Sequence, residues 1–293
     1  VRGRLNVANS VNLQFNTAHT LTKVTNYAEG TTLNLLNNTT TSTGTFAGTQ
    51  FFNNTTAGGL AFNLPAATTS STVGLNITGI IYGNSGFTKT GNGILQISAN
   101  NFGGVYDGFT GINANPTLLG QIAVNGGILY VGGARALGAH GVGNEVVVAS
   151  GASVDLRGQS LNYGDDSSLT RKMFEISGTG FNGTGALRNS SGTGQISFLK
   201  LNNDALINSG GSANGSVLNI ATFDTHLANG NSLTGAFTRN RPVIDGNNKV
   251  LTVIGSRVSS DNIIIADPQF SSPLAGLVIS GSSVVLRNEI SAV

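Results

Sequence analysis

The chain has 293 residues, 42 of them glycine, and only 10% of its side chains are charged, against about 25% in an ordinary globular protein. The net charge of +2 comes from scattered basic residues and tryptophan is absent, so the basic stripe with stacking aromatics of a nucleic-acid-binding protein is missing. The absence of cysteine excludes disulfides, thiol catalysis and thiolate-bound metal sites.

The composition, rich in Asn, Thr, Ser and Gly, is also found in disordered chains. Here, however, hydrophobic residues reach 39% and fall into short β-branched clusters such as 146–148 and 263–265. Low hydrophobicity with high net charge, the signature of disorder, is therefore not present. We expect a folded β-protein in which stacked Asn and Thr side chains hydrogen-bond to one another, since like charges at the same spacing would repel.

Residues 1–86 are almost free of charge and contain several short runs of β-branched or aromatic residues between polar turns. The segment 37–44 is either a polar loop, which we favour, or an Asn/Thr ladder. The predicted strands are 5–7, 11–15, 31–36, 50–52, 60–64, 73–77 and 80–82.

Two later blocks, 87–103 and 122–138, share one pattern of strand, glycine turn, strand and glycine turn. In the first block, Gly91 and Gly93 are expected to form a tight turn with backbone angles that other residues avoid. Ile94, Leu95 and Ile97 follow, and alternate members should point into and out of the coil. A chain that repeats this pattern winds into a solenoid of stacked β-coils.

The two blocks resemble the autotransporter-associated β-strand repeat. The resemblance implies a right-handed parallel β-helix on a secreted or surface-displayed bacterial protein, with no enzymatic activity. Lys89 matches the basic position of the motif and is expected to be exposed to solvent. Gly126 and Gly127 occupy the turn of the second block, and Leu137 and Gly138 match the closing turn.

An insertion over residues 104–121 separates the two blocks and interrupts their rhythm. Insertions in solenoids project from one face and often bind ligands. Tyr106, Asp107 and Phe109 are therefore candidates for a ligand-binding surface.

The remainder of the chain allows more than one interpretation. Residues 169–176 fit a strand from 172 or a helical turn, and residues 242–254 fit a hairpin around Asp245-Gly246. Asn-Gly and Asp-Gly pairs are too common in this composition to separate coils from hairpins. An antiparallel β-sandwich therefore remains open as the alternative fold.

Four carboxylates could in principle serve a glycosidase, which needs two acids facing each other across a cleft. Asp155, Asp165, Asp166 and Glu175 are near enough in sequence to lie on adjacent coils. We favour a structural interpretation, in which Asp165 and Asp166 open a polar turn, over catalysis or a lone calcium site there. His19, His140 and His226 show no metal-ligand spacing, so no catalytic residue, metal or cofactor is expected.

We therefore predict one elongated solenoid over residues 1–293, with low-charge coils over 1–86, the repeat over 87–160 and further coils over 161–293. Its expected function is that of a structural or adhesive extracellular protein, such as a subunit of a surface fibre or matrix. Free strand edges would pair identical chains into oligomers or a filament.

A polysaccharide-binding or polysaccharide-cleaving β-helix is the alternative function, and glycans or a cell surface are the other possible partners. The sequence contains no run long enough to span a membrane. Because it opens on Val1 and shows no signal peptide, we expect a mature, processed or partial chain.

Overall fold

The structure, a computed structural model, describes residues 4–14, 17–36, 43–52, 59–65, 72–103, 115–161, 172–210, 215–221, 242–255, 262–266, 268–281 and 284–287. These residues form 29 short strands, and the single helical element among them is the 3-10 turn Phe181–Gly183. Strands of successive coils pair in parallel, which confirms the predicted all-β parallel β-helix. The β-sandwich alternative is wrong, because a sandwich is built from antiparallel neighbours. The right-handed winding stays a prediction.

Each coil contributes strands to three stacked faces. The strands of the first face are β1 (Arg4–Val7), β4 (Val24–Tyr27), β7 (Gln50–Phe52), β10 (Ile81–Gly83), β21 (Thr193–Ile196), β23 (Val217–Ile220), β26 (Asn262–Ala266) and β29 (Val284–Arg287). Between β10 and β21 this face continues through irregular segments at Leu118, Ala139 and Ser160.

The second and third faces are continuous. The strands of the second face are β2 (Val11–Gln14), β5 (Thr32–Leu36), β8 (Ala61–Asn63), β11 (Phe87–Thr90), β15 (Ile122–Val124), β17 (Val146–Val148), β19 (Met173–Gly178), the first half of β22 (Phe198–Ser209), β24 (Val243–Asp245) and β27 (Gln269–Ser272). The strands of the third face are β3 (His19–Leu21), β6 (Gly44–Phe46), β9 (Val73–Ile77), β12 (Ile94–Ile97), β16 (Gly127–Val131), β18 (Ala152–Asp155), β20 (Leu187–Asn189), the second half of β22, β25 (Val250–Gly255) and β28 (Gly276–Ser280).

The parallel register places equivalent residues above one another, about 4.8 Å apart. One line of such residues follows the outer side of the third face through all ten coils, and we call it the third-face column. Its members are Thr20, Thr45, Asn76, Gln96, Tyr130, Asp155, Arg188, Asn208, Ile254 and Ser280.

The interior is filled by the alternate side chains of each strand, as the burial pattern of β4 and β17 shows. In the early coils this core is aromatic. The rings of Phe52, Phe62 and Phe87 pack with centroids 5.6–6.1 Å apart, and Tyr27 joins them edge-on. The Tyr27 hydroxyl donates to Gln50 Oε1 at 2.8 Å, which satisfies its hydrogen bond inside the core. In later coils the core is mainly aliphatic, with residues such as Leu199 and Val253 alongside Phe174.

The predicted hairpin around Asp245-Gly246 is wrong. β24 pairs with β22 and β27, whereas β25 pairs with the other half of β22 and with β28. The turn between β24 and β25 is a corner from the second face to the third. Asn247 and Asn248 make this corner with φ angles of 44° and 55°, a region that Asn tolerates better than most residues.

Two other ambiguous segments are also settled in part. Residues 173–178 form the strand β19 and not a helical turn, while 169–171 lie outside the described residues. The predicted insertion over 104–121 is too long at its end: the antiparallel pair β13 (Phe102–Gly103) and β14 (Asn115–Pro116) flanks the inserted segment, and Leu118 already pairs in the first face. The segment between them, 104–114, is likewise outside the described residues.

The inward placement of alternate residues gives a matched test of the fold. Val124 is fully buried, whereas Val142 is 88% exposed at a corner. We expect Val124→Ala to lower the free energy of unfolding by about 2 kcal/mol, because it removes two methyl groups and leaves a cavity. Val142→Ala should change it by less than about 0.5 kcal/mol. Equal midpoints of chemical denaturation for the two variants would contradict the assigned core.

Candidate interaction surfaces

Lys89 is buried, and the prediction that it is exposed is wrong. It points inward from β11, between Phe62 of the coil before and Val124 of the coil after. Its ammonium reaches the next corner and donates to the carbonyl oxygens of Thr90, Gly91 and Gly126, at 3.2, 2.7 and 2.7 Å. The lysine thus donates to three backbone carbonyls near this corner, of which that of Thr90 also accepts from the Leu64 N–H at 3.1 Å.

Lys172, just before β19, makes a similar arrangement three coils later. Its Nζ donates to the carbonyl oxygens of Leu137, Ala139 and Asn144 at 2.7, 2.8 and 2.6 Å. The three N–H groups of one ammonium therefore match three carbonyls. Sequence analysis missed this residue, although a lysine at the start of an apolar strand in a chain with so few charges was a usable signal.

Burial lowers the pKa values of three basic side chains near these corners. It lowers the pKa of both Lys89 and Lys172 to about 7, and for Lys172 the nearby Glu145 carboxylate partly opposes the shift. Burial, with the charges of Lys172 and Arg135, also lowers the pKa of His140 to about 3. All three are bases whose protonated form is less favourable in the folded state than in water.

The glycines of the repeat lie at corners where neighbouring coils touch. Gly91 has φ +71°, and a Cβ there would overlap the carbonyl oxygen of Leu64. Gly138 has φ +70° and meets Leu118 in the same way. Gly93 does not adopt a positive φ, contrary to the prediction. Glycine is required at this position for steric reasons, because a Cβ would lie 2.8 Å from the Pro65 carbonyl oxygen.

The other residues of the repeat motif lie inside the coil or at its corners. Leu95, Ile97 and Leu137 belong to the main core. Ile94 faces the opposite side of β12 and packs in a small second cluster with Ile128 and Tyr130. Gly126 supplies a carbonyl to Lys89, and β16 begins at Gly127 with φ +60°.

Asp155 is fully buried and paired. Its Oδ2 accepts from Arg188 Nε at 2.9 Å, one coil above, and its Oδ1 accepts from the backbone N–H groups of Arg157 and Ser190 at 3.1 and 3.0 Å. The segment that follows β19 covers this pair, because Ser153 Oγ accepts from the Phe181 N–H and donates to the Gly185 carbonyl. Asp155 therefore holds two coils together.

Glu175 lies on another face from Asp155. It projects outward from β19 on the second face and accepts from Lys200 Nζ at 3.1 Å and Asn202 Nδ2 at 3.0 Å. Since the two carboxylates occupy different faces, they do not converge on one substrate position. Asp165 and Asp166 lie outside the described residues.

Amide ladders follow the outer side of the coils, as the composition predicted. On the second face Asn34 donates to Asn12 at 3.0 Å, Asn63 donates to Asn34 at 2.9 Å, and Thr90 donates to Asn63 at 3.3 Å. On the first face Asn26 donates to Asn6 at 2.8 Å. These hydrogen bonds connect successive coils through uncharged side chains.

The line that begins with Asn6 and Asn26 continues into two stacked rings. Phe51 and Tyr82 lie one coil apart, with ring centroids at 5.3 Å and an angle of 16° between the rings. Their faces are turned toward each other along the stack. The two ring faces that meet are therefore not available for stacking against a sugar.

The first coil carries apolar inward residues on strands whose lower edges have no partner in the described part of the chain. These residues continue the core columns of the second coil. They are Leu5, Val7, Val11, Leu13 and Leu21. Leu5 is exposed, and Val11, Leu13 and Leu21 are only partly buried.

The last described coil has the same character at its upper edge. Its inward residues continue columns that are fully buried one coil below, such as Val253 and Ile265. They are Phe270, Leu277, Ile279, Val284 and Leu286. Four of the five are exposed, Leu286 by 57%. The two end coils are therefore apolar surfaces of the same three-sided shape.

The described residues include no group of three or more His, Cys, Asp or Glu side chains able to hold a metal ion. No helix among them is long and apolar enough to cross a membrane. The proposed ligand residues Tyr106, Asp107 and Phe109 fall outside the described residues.

Comparison with known proteins gives one partial match. A stretch of 132 residues, 43% of the chain, is 36% identical to the adhesin BmaC autotransporter of Brucella suis biovar 1 (strain 1330). That stretch spans 3% of the length of the adhesin. No protein-family model matches the chain, and no solved structure matches it. The sequence relationship is therefore to a small part of an autotransporter adhesin.

The buried lysines predict how stability depends on pH. Between pH 7 and 10.5 the unfolded chain retains the Lys172 proton that the folded chain has lost, so stability rises with pH. We expect Lys172→Met to flatten this rise by up to about 1.4 kcal/mol per pH unit and to lower stability at neutral pH. Denaturation midpoints at pH 7.5 and 9.5 measure both effects. Lys23→Met, at an exposed lysine, should retain the full rise; an unchanged slope in Lys172→Met would contradict the shift.

The buried ion pair gives a second stability prediction. Asp155→Asn leaves the Arg188 guanidinium buried beside a neutral amide, and we expect a loss of about 3 kcal/mol. Glu175→Gln removes a pair whose side chains are partly solvated and should cost less than about 1 kcal/mol. Thermal or chemical denaturation of the two variants side by side checks the order. A larger loss for Glu175→Gln would contradict the structural role of Asp155.

Proposed function

We propose that this chain is a non-enzymatic, surface-displayed structural or adhesive protein, a shaft of stacked coils that associates end to end. The observation that carries the proposal is the pair of matching apolar end coils on an uninterrupted parallel stack. The partial similarity to an autotransporter adhesin supports an extracellular or bacterial cell-surface location and an adhesive role. The repeat residues from Lys89 to Gly138 then serve the scaffold.

End-to-end association follows from two properties of the end coils. First, the lower edges of β1–β3 and the upper edges of β27–β29 have no partner strand among the described residues, and their backbone N–H and C=O groups suit another parallel strand. Second, most of the inward residues of the two end coils are apolar, ten in all, and His19, which alternates with the outward Thr20, is a polar exception. Contact between unlike ends of identical chains is heterologous, and a heterologous contact that does not close into a ring gives a filament.

Polysaccharide cleavage is less well supported by the described residues. The acids that sequence analysis selected, Asp155 and Glu175, are engaged in ion pairs on different faces. A cleft between two facing carboxylates, which glycosidases require, is not formed by these two residues. Binding of glycans along the shaft remains compatible with the adhesive role.

The third-face column supplies a direct test of association. Ser280 ends the column and Thr20 begins it, so a second copy that continues the stack places its Thr20 about 4.8 Å above Ser280. That spacing suits a disulfide, and the chain has no cysteine of its own. We expect a mixture of the Thr20→Cys and Ser280→Cys proteins to form disulfide-linked heterodimers on mild oxidation.

The matched control replaces Ser280→Cys by Val142→Cys, at an exposed corner in the middle of the stack. This pair should cross-link at least tenfold more slowly. Equal rates for both mixtures, or particles that stay monomeric at high concentration in electron micrographs and light scattering, would contradict end-to-end association.

A further inference from the structure

An Asn-Gly pair is a place in a protein where the backbone itself is able to attack a side chain. The glycine nitrogen follows the asparagine directly, and glycine has no Cβ to hinder its approach to the carboxamide carbon. Sequence alone gives every such pair the same reactivity, so differences between them come from the fold. Three pairs lie wholly within the described residues, each with an exposed asparagine: Asn92-Gly93, Asn125-Gly126 and Asn182-Gly183.

The hydrogen bonds of the glycine N–H groups separate the three pairs. The Gly93 N–H donates to the Leu64 carbonyl at 2.9 Å, and the Gly183 N–H donates to the Gly180 carbonyl at 3.2 Å. A nitrogen held in this way must give up its hydrogen bond before it attacks, which slows the reaction. The Gly126 N–H, in contrast, makes no hydrogen bond to a described residue.

Asn125 lies at the corner that leads from β15 to β16. Its own N–H donates to the Lys89 carbonyl at 2.9 Å, whereas its side chain is exposed and has no hydrogen-bond partner in the described part of the chain. The residue after it is half-exposed, while Gly93 in the coil below is buried. At this corner an unrestrained carboxamide therefore stands next to an unbonded backbone nitrogen.

We propose that Asn125 is a site of spontaneous deamidation and isomerisation. Hydroxide removes the Gly126 N–H proton, and the nitrogen attacks Asn125 Cγ. The new N–Cγ bond forms as the Cγ–Nδ2 bond breaks, and the departing nitrogen takes a proton from water and leaves as ammonia. Water then adds to one of the two carbonyl carbons of the cyclic imide and breaks its bond to the ring nitrogen. Opening at Cγ gives aspartate, and opening at the main-chain carbonyl gives isoaspartate.

Isoaspartate at this position alters a contact between two coils, because it adds one carbon to the main chain just before Gly126. The Gly126 carbonyl accepts from Lys89 Nζ at 2.7 Å, beside the carbonyls of Thr90 and Gly91. Displacement of one of the three acceptors leaves the buried ammonium with a donor that has no partner, which is costly. A reaction at an exposed side chain thus weakens the corner that Lys89 holds.

Peptide mapping by mass spectrometry, after incubation in mildly alkaline buffer, tests the site. We expect Asn125 to lose its amide at least tenfold faster than Asn92 or Asn182 in the folded protein, with isoaspartate among the products. In denaturant the three glycine nitrogens are equally free, so the three rates should agree within threefold. Equal rates at the three sites in the folded protein, or the same spread of rates in denaturant, would overturn the proposal.

Two variants separate the reaction from its effect on the corner. Gly126→Ala places a Cβ beside the attacking nitrogen, 3.2 Å from the Gly91 carbonyl oxygen, and should slow the loss of the amide at least tenfold. Asn125→Asp carries the new charge without the additional main-chain carbon. Its denaturation midpoint should match that of fresh wild type, whereas the isoaspartate form purified from aged protein should unfold at lower denaturant. Undiminished reaction in Gly126→Ala would refute the mechanism, and an isoaspartate form as stable as wild type would refute the effect on Lys89.

Discussion

The parallel, in-register ladder between coils is the constraint on which the rest of this molecule depends. It places each side chain about 4.8 Å from its equivalents above and below. At that distance like charges repel, whereas amides donate and accept along the line, as Asn12, Asn34 and Asn63 do. The low charge of the whole chain is thus a property of its winding. Where the third-face column does carry charge, Asp155 and Arg188 are adjacent and opposite in sign.

The corners between faces present backbone carbonyls, and the chain places its two buried lysines there. Lys89 and Lys172 extend into corners and each binds three carbonyl oxygens. An ammonium has three donors and no acceptor, which suits a group of carbonyls better than any neutral side chain. Burial opposes this arrangement by disfavouring the charge, so each lysine links two coils and makes their stability sensitive to pH.

Local patterns predicted the strands well where β-branched residues cluster between turns, as at Val73–Ile77, and the repeat predicted the parallel winding. Local patterns failed where contacts with other coils determine the position of a side chain or the pairing of a strand. Lys89 alternates inward with Phe87, but nothing in the local sequence shows the carbonyls that receive its ammonium. The corner at Asp245-Gly246 has the residues of a hairpin turn, and only the neighbouring strands direct β24 and β25 to different faces. The surfaces of the two end coils depend on the register of the whole stack, which no single segment encodes.

The distance between spin labels along the third-face column tests the winding most directly. Thr45 and Ile254 are seven coils apart, and Thr45 and Ser280 are eight coils apart. A continuous stack predicts separations of about 34 Å and 38 Å for the two pairs, in magnetically dilute samples. Separations near 20 Å or below, or a distance that does not grow with the added coil, would contradict the lengthwise parallel stack.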